Sequence, residues 1–149
     1  MENIKFQKVS ILLMRLGLGW YFLYAGITKV LDPTWSAAGY ISQTKILTGL
    51  YEWFASPAIL PVINFLNQWG LTLVGLALIL GIWVRFSSIV AVFLMVMYYI
   101  PVLDFPLAGA HSYIVDDHVL YILGFLILIA FKAGNYWGLD SLMLRRRQS

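Results

Sequence analysis

Asp116-Asp117-His118, followed by Tyr121, is the most polar cluster in the apolar parts of the sequence. In a helix, Asp117 lies four residues and His118 three residues before Tyr121, so the three side chains would be neighbours. A carboxylate, an imidazole and a phenol in contact can hold and transfer protons. We therefore take Asp117, His118 and Tyr121 as the candidate catalytic residues.

Two basic residues lie inside the first apolar run. Arg15 and Lys29 are 14 residues apart, which puts them on one helix face, about 21 Å apart along the axis. An ionisable side chain inside a membrane span is costly and usually faces other protein groups. Lys29 ends the first apolar run at the level where Asp117 begins the last one. The sequence therefore predicts a pocket that contains both residues.

A second set of residues is a candidate for binding a quinone headgroup, whose carbonyl oxygens need hydrogen-bond donors. This set consists of Lys29, Arg15, Tyr24 and Asp116. Simpler roles are open for some of these residues. Asp116 can cap a helix, Arg15 can reach lipid headgroups, and a Lys29–Asp117 ion pair can pin two helix ends together.

The composition excludes several classes of protein. The chain has 149 residues, of which 61% are hydrophobic and 11% charged, against roughly 25% charged in soluble domains. It has no cysteine, which excludes thiol chemistry and iron–sulfur ligation. His111 and His118, the two histidines, lie on one stretch of chain and cannot bind opposite faces of one haem. We expect no haem or iron–sulfur cluster, and the basic residues give no sign of a nucleic-acid partner.

Four apolar runs predict the elements that position these residues. A membrane span needs about 20 apolar residues, and the predicted spans are residues 9–30, 62–84, 86–103 and 115–132. The sequence thus predicts one domain, residues 1–149, that is an all-α integral membrane four-helix bundle. Leu47, Leu50, Tyr51 and Phe54 have helical spacing, which predicts an additional short amphipathic helix in the first outer loop.

The distribution of basic residues predicts the orientation of the chain. If the N-terminus is cytoplasmic, the cytoplasmic side holds Lys5, Lys8, Arg15, Arg85, Lys132, Arg145, Arg146 and Arg147, and the outer side holds Lys29 and Lys45. Cytoplasmic loops carry an excess of Lys and Arg. We therefore expect a multi-pass protein of the cell (plasma) membrane, in contact with membrane lipid, with both termini cytoplasmic.

Several short motifs resemble the DoxX/DoxD-like family of small four-helix membrane proteins over nearly the whole chain. They are Arg15, Gly19 and Phe22 followed by 25–29 (AGITK), 75–81 (GLALILG) closing with Arg85, 115–121 (VDDHVLY) and 133–140 (AGNYWGLD). One position departs from the family's pattern. Many relatives carry a glutamate shortly before the glycine-rich run of the second helix, where this chain has Leu71.

The resemblance implies a quinone-linked function. DoxD-type relatives belong to a thiosulfate:quinone oxidoreductase, and DoxX is linked to a terminal quinol oxidase. We therefore expect a quinone-reactive subunit of a membrane oxidoreductase, with a quinone as its cofactor and a partner redox subunit or further copies of itself as partners. The alternatives are a non-catalytic scaffold that anchors a soluble redox enzyme and a subunit of a small-solute transporter.

Overall fold

The structure is a computed structural model that describes residues 2–109 and 111–146. Its helices in chain order are α1 (Glu2–Leu31), α2 (Ala38–Ile41), α3 (Thr48–Phe54), α4 (Leu60–Leu80), α5 (Val84–Val102), α6 (Asp117–Ala130) and α7 (Leu139–Arg146). A small antiparallel hairpin of β1 (Leu103–Asp104) and β2 (Leu107–Ala108) follows α5, and a 3₁₀ turn at Ala133–Asn135 follows α6. The predicted all-α membrane fold is confirmed.

Three of these helices, α1, α4 and α5, are long and apolar enough to cross a membrane. Large apolar side chains cover their outer surfaces, and Trp20 and Phe93 are 65% and 62% exposed. A surface of this kind suits lipid, so the chain is a multi-pass membrane protein. The 14 residues of α6 extend about 21 Å, which is less than the ~30 Å hydrocarbon core. The fourth crossing and the orientation of the termini therefore stay predictions.

The helices begin and end at residues that differ from the ends of the predicted spans. Val84, which the sequence placed at the end of the second span, begins α5. The chain reverses earlier because Gly81 adopts a left-handed φ of 67° at the end of α4, a conformation that glycine accepts without strain. Asp116, inside the predicted fourth span, is extended and precedes α6 as its cap.

Glycines bring α1 and α4 into backbone contact. A Cβ on Gly26 would lie 2.4 Å from the backbone nitrogen of Thr72, and a Cβ on Gly75 would lie 2.2 Å from that of Leu23. No side chain fits at these distances, so only glycine permits this packing. Gly17 makes no such contact, because a Cβ there would meet nothing within 4 Å.

Arg15 joins α1 to the turn between α6 and α7. Its side chain is 1% exposed, and its guanidinium donates hydrogen bonds to the carbonyl oxygens of Ala133 (3.0 Å), Tyr136 (2.9 Å) and Trp137 (2.9 Å). The interpretation that Arg15 reaches lipid headgroups is wrong, because these carbonyls bind the guanidinium inside the protein.

Asp140 connects the start of α7 to the α4–α5 turn. Its carboxylate accepts hydrogen bonds from the backbone N–H groups of Trp83 (2.9 Å) and Val84 (3.1 Å). Its own N–H donates to the carbonyl oxygen of Gly81 (2.9 Å). The first N–H groups of a helix have no partner within it, so this carboxylate from a distant helix supplies the acceptor that α5 needs.

Residues 32–56, here called the lid segment, fold back over the end of the bundle where α1 ends. The Tyr51 hydroxyl donates to the carbonyl oxygen of Met97 in α5 (2.8 Å). The backbone N–H of Ala37 donates to the Asn64 side chain in α4 (2.8 Å). These hydrogen bonds attach the lid segment to both central helices.

The predicted short helix in the lid segment is confirmed as α3, but its apolar face is narrower than the sequence predicts. Tyr51 is 3% exposed and packs with Phe54 against the bundle. Leu47 and Leu50 are 56% and 41% exposed. Leu47 precedes the helix in a left-handed conformation with a φ of 56°, so it does not share the face that Tyr51 buries.

Candidate functional site

The candidate site that contains Lys29 and His118, here called the first cavity, lies between two pairs of helices. α1 packs mainly on α4, and α5 packs mainly on α6. The first cavity has a volume of about 370 Å³, which is in the range of small-molecule sites. Its lining residues are Tyr21, Phe22, Ala25, Lys29, Trp35, Ser36, Tyr40, Leu71, Met95, Tyr98, Val102, His118 and Tyr121.

Lys29 supplies a positive charge to the first cavity. Its ammonium donates one hydrogen bond to the carbonyl oxygen of Ala25 (3.0 Å) and lies 5.6 Å from the centre of the Trp35 ring. The ion pairs among the described residues are Lys45–Asp104 and Asp116–His118, and neither involves Lys29. The predicted Lys29–Asp117 ion pair is therefore not formed. The other ammonium protons of Lys29 are available to a ligand.

His118 presents an oriented imidazole to the same cavity. Its Nδ1 lies 2.5 Å from Oδ2 of Asp116, and a carboxylate oxygen accepts the proton at that distance. Nδ1 therefore carries a proton, and Nε2 is the nitrogen left for a ligand. Asp116 also accepts the backbone N–H groups of His118 and Val119 at 3.0 and 3.2 Å. The alternative role of Asp116 as a helix cap is confirmed.

Tyr98 and Tyr40 form an aromatic wall beside His118. The Tyr98 ring stacks on the imidazole at 6.0 Å with an interplanar angle of 14°. Its hydroxyl is buried and has no hydrogen-bond partner among the residues that the structure describes. Burial, and then the charge of Asp116, raise the pKa of the Tyr40 phenol. The Tyr40 hydroxyl therefore stays protonated and donates to the carbonyl oxygen of Tyr98 (2.6 Å).

A second aromatic group in the lining of the first cavity comes from α1 and α6. The rings of Tyr21 and Tyr121 lie 4.9 Å apart. Phe22 contacts Tyr121 edge to face at 6.0 Å, and its side chain is 1% exposed. A flat apolar ring in the cavity would thus meet aromatic surfaces from both groups.

The predicted site residues divide into two groups. Lys29, His118 and Tyr121 line the first cavity. Asp116 does not line it but contacts Nδ1 of His118 through its carboxylate. Three others lie elsewhere. Asp117 is exposed and Tyr24 is 64% exposed, and neither lines the cavity. Arg15 lies about four helical turns from Lys29 and binds backbone carbonyls there.

Sequence reasoning missed Trp35, Tyr40 and Tyr98. Trp35 and Tyr98 lie near the ends of spans, where aromatic residues are common for anchoring alone. Tyr40 lies in α2 of the lid segment. The approach of Trp35 and Tyr40 to the cavity depends on how the lid segment folds back, which no local pattern shows. Leu71, where the resemblance to DoxX-like proteins leads one to expect a glutamate, is 3% exposed and lines the cavity with an apolar side chain.

Comparison with known proteins adds one match. The model of a family described as DoxX matches residues 10–103, from α1 to the start of β1. No curated protein and no solved structure matches the chain. The family match covers well over half of the sequence, and the chain therefore belongs to the DoxX family.

Proposed function

We propose that this protein is a quinone-binding membrane subunit of an oxidoreductase. One observation carries the proposal: an ammonium, an oriented imidazole and several aromatic side chains line the same cavity at the end of the bundle. The DoxX family is associated with quinone-linked oxidoreductase subunits, which supports the same function.

The residues of the first cavity fit a quinone ring. The ring is flat and apolar, so the aromatic surfaces of Tyr98 and Tyr121 suit its faces. Its carbonyl oxygens need donors, and the Lys29 ammonium and the His118 imidazole supply them. The charge of Lys29 also favours the negative charge that a carbonyl oxygen gains when the ring is reduced.

A bound quinone accepts electrons and protons, and the protein must manage the protons. Nε2 of His118 is the group that would donate or receive one, because Asp116 occupies Nδ1. Asp116 would stabilise the imidazolium and keep the ring in place, as a carboxylate does behind a catalytic histidine. The Tyr121 phenol lines the same cavity and would add a hydrogen bond.

The electron donor must come from outside this chain or bind beside the quinone. The sequence has no cysteine, and we propose that the chain carries no redox centre besides the bound quinone. A small sulfur anion such as thiosulfate, or a partner redox subunit, would supply electrons. Lys29 would attract the anion. From the distribution of Lys and Arg, we also propose that the protein lies in the plasma membrane with both termini cytoplasmic.

Retention of quinone after purification tests the proposal. The protein is extracted in mild detergent, and bound quinone is measured by mass spectrometry. We expect nearly stoichiometric quinone in the parent, less in Lys29→Met, and the parent amount in Lys45→Met. Lys45 is the matched control because it lies on the exposed lid surface and pairs with Asp104. A parent that retains no quinone and binds none when it is added would instead fit a membrane scaffold for a soluble enzyme.

A further inference from the structure

A second cavity lies directly beside the first and shares part of its wall. It has a volume of about 280 Å³, and Trp35, Tyr40 and Tyr98 line both cavities. The second cavity continues from this shared aromatic boundary, between α4 and α5 and beneath α3. The side chains of these three residues separate the two spaces, so an elongated ligand would have to pass beside them to occupy both.

The lining of the second cavity offers almost nothing to a polar group. Apart from its aromatic rings, it is mostly aliphatic. The Tyr40 and Tyr51 hydroxyls donate to the main-chain carbonyls of α5, and the Asn67 amide donates to the carbonyl oxygen of Ile63 (2.7 Å). A polar headgroup would lose its hydration there and gain few partners, chiefly the Tyr98 hydroxyl.

The second cavity reaches the lipid-facing surface of the bundle. Leu66 of α4 and Phe93 of α5 line it and are 52% and 62% exposed. Both helices are long and apolar enough to span the membrane. A chain that enters between these two residues would pass from lipid into the second cavity without crossing water.

We propose that the second cavity holds the polyisoprenoid tail of the quinone whose ring lies in the first cavity. This inference rests on the proposed function and adds the class of quinone, one with an isoprenoid tail. The ring would lie beside Lys29 and His118, and the tail would pass Tyr40 and Tyr98 and leave the protein between α4 and α5. Lipid is as apolar as the cavity, so burial from water does not favour the bound tail. Close packing against the cavity residues would stabilise it instead.

The test compares two quinones that share a headgroup, one without a tail and one with a short isoprenoid tail, in the purified full-length protein. Leu66→Trp places a large side chain at the mouth of the second cavity. Leu73→Trp is its control, because Leu73 lies two turns along the same helix, is 58% exposed, and lines neither cavity. Each quinone partitions into detergent to the same extent whichever variant is present. A difference in measured affinity between variants therefore comes from the protein.

We expect Leu66→Trp to weaken binding of the tailed quinone about tenfold, to leave binding of the tail-less quinone unchanged, and Leu73→Trp to behave as the parent. Equal tailed-quinone affinity in Leu66→Trp and Leu73→Trp would overturn the inference while leaving the proposed function intact. An equal loss of affinity for both quinones in Leu66→Trp would also overturn the inference. A parent that binds neither quinone would instead refute the proposed function.

Discussion

Asp116 uses its two carboxylate oxygens for different purposes, and one of them fixes His118. Oδ2 lies 2.5 Å from Nδ1 of His118, while Oδ1 accepts the backbone N–H groups that begin α6. The start of the helix and the orientation of the imidazole therefore depend on one side chain. This arrangement leaves Nε2 of His118 as the nitrogen that can act in the first cavity.

Asp116→Asn separates these two roles. Asparagine caps helices about as well as aspartate, so the unfolding temperature in detergent should change little. The amide cannot replace the carboxylate behind the imidazole, so quinone affinity should fall about tenfold, or ~1.4 kcal/mol.

A double-mutant cycle identifies the path of this effect. If Asp116 acts through His118, then His118→Ala combined with Asp116→Asn should bind quinone no more weakly than His118→Ala alone. Asp117→Asn is the matched control, because that carboxylate is exposed and should matter little to binding. Fully additive losses would show that Asp116 does not act through the imidazole.

Arg15→Met should destabilise the protein at the end far from the first cavity. Three backbone carbonyls would lose a buried charged donor, at a cost on the order of 3 kcal/mol. The unfolding temperature in detergent should drop, and protease should cut the segment after α6 more readily. Arg85→Met, at an exposed position, should change neither measurement. An Arg15→Met protein as stable as its parent would contradict the role of Arg15 in joining α1 to the turn between α6 and α7.

Gly26→Ala should weaken the contact between α1 and α4. The added Cβ would lie 2.4 Å from the Thr72 nitrogen, so the helices must separate, at a cost of about 1–3 kcal/mol. Gly17→Ala adds the same methyl group to the same helix where it meets nothing within 4 Å. That control should be neutral or stabilising by up to ~1 kcal/mol. Similar thermal unfolding of both variants would argue against close packing at Gly26.

Topology can be tested with single cysteines, because the natural chain contains none. Cysteine at position 42, replacing Ser42 in the lid segment, should react with an impermeant thiol reagent added to intact cells. Cysteine at position 149, replacing Ser149, should react only after the membrane is opened. Labelling of both positions in intact cells would refute the cytoplasmic C-terminus.

The sequence predicts the helices and part of the site for a clear physical reason. Long apolar runs have few folded options in a membrane, so α1, α4 and α5 follow from composition. Lys29 and His118 stand out because ionisable groups at membrane depth are costly. Their common cavity follows from the ends of two neighbouring helices meeting at one level.

The rest of the site depends on contacts distant in sequence. The Tyr40 hydroxyl reaches the Tyr98 carbonyl across 58 positions, and Arg15 finds its acceptors across more than 100. No helical period encodes such pairs. The sequence also does not show whether Asp116 or Asp117 contacts His118. That depends on which of the two caps α6 and which is its first residue.

Equilibrium titration of purified protein with a tail-less quinone tests the central claim most directly. Calorimetry should show saturable binding to the parent and about tenfold weaker binding to Lys29→Met, because the cavity loses its ammonium. Lys45→Met should bind with the parental affinity, because Lys45 lies outside the cavity in an exposed ion pair that contributes at most about 1 kcal/mol to stability. Equal affinity in Lys29→Met and the parent, or no saturable binding to the parent, would contradict the assignment of the first cavity as a quinone site.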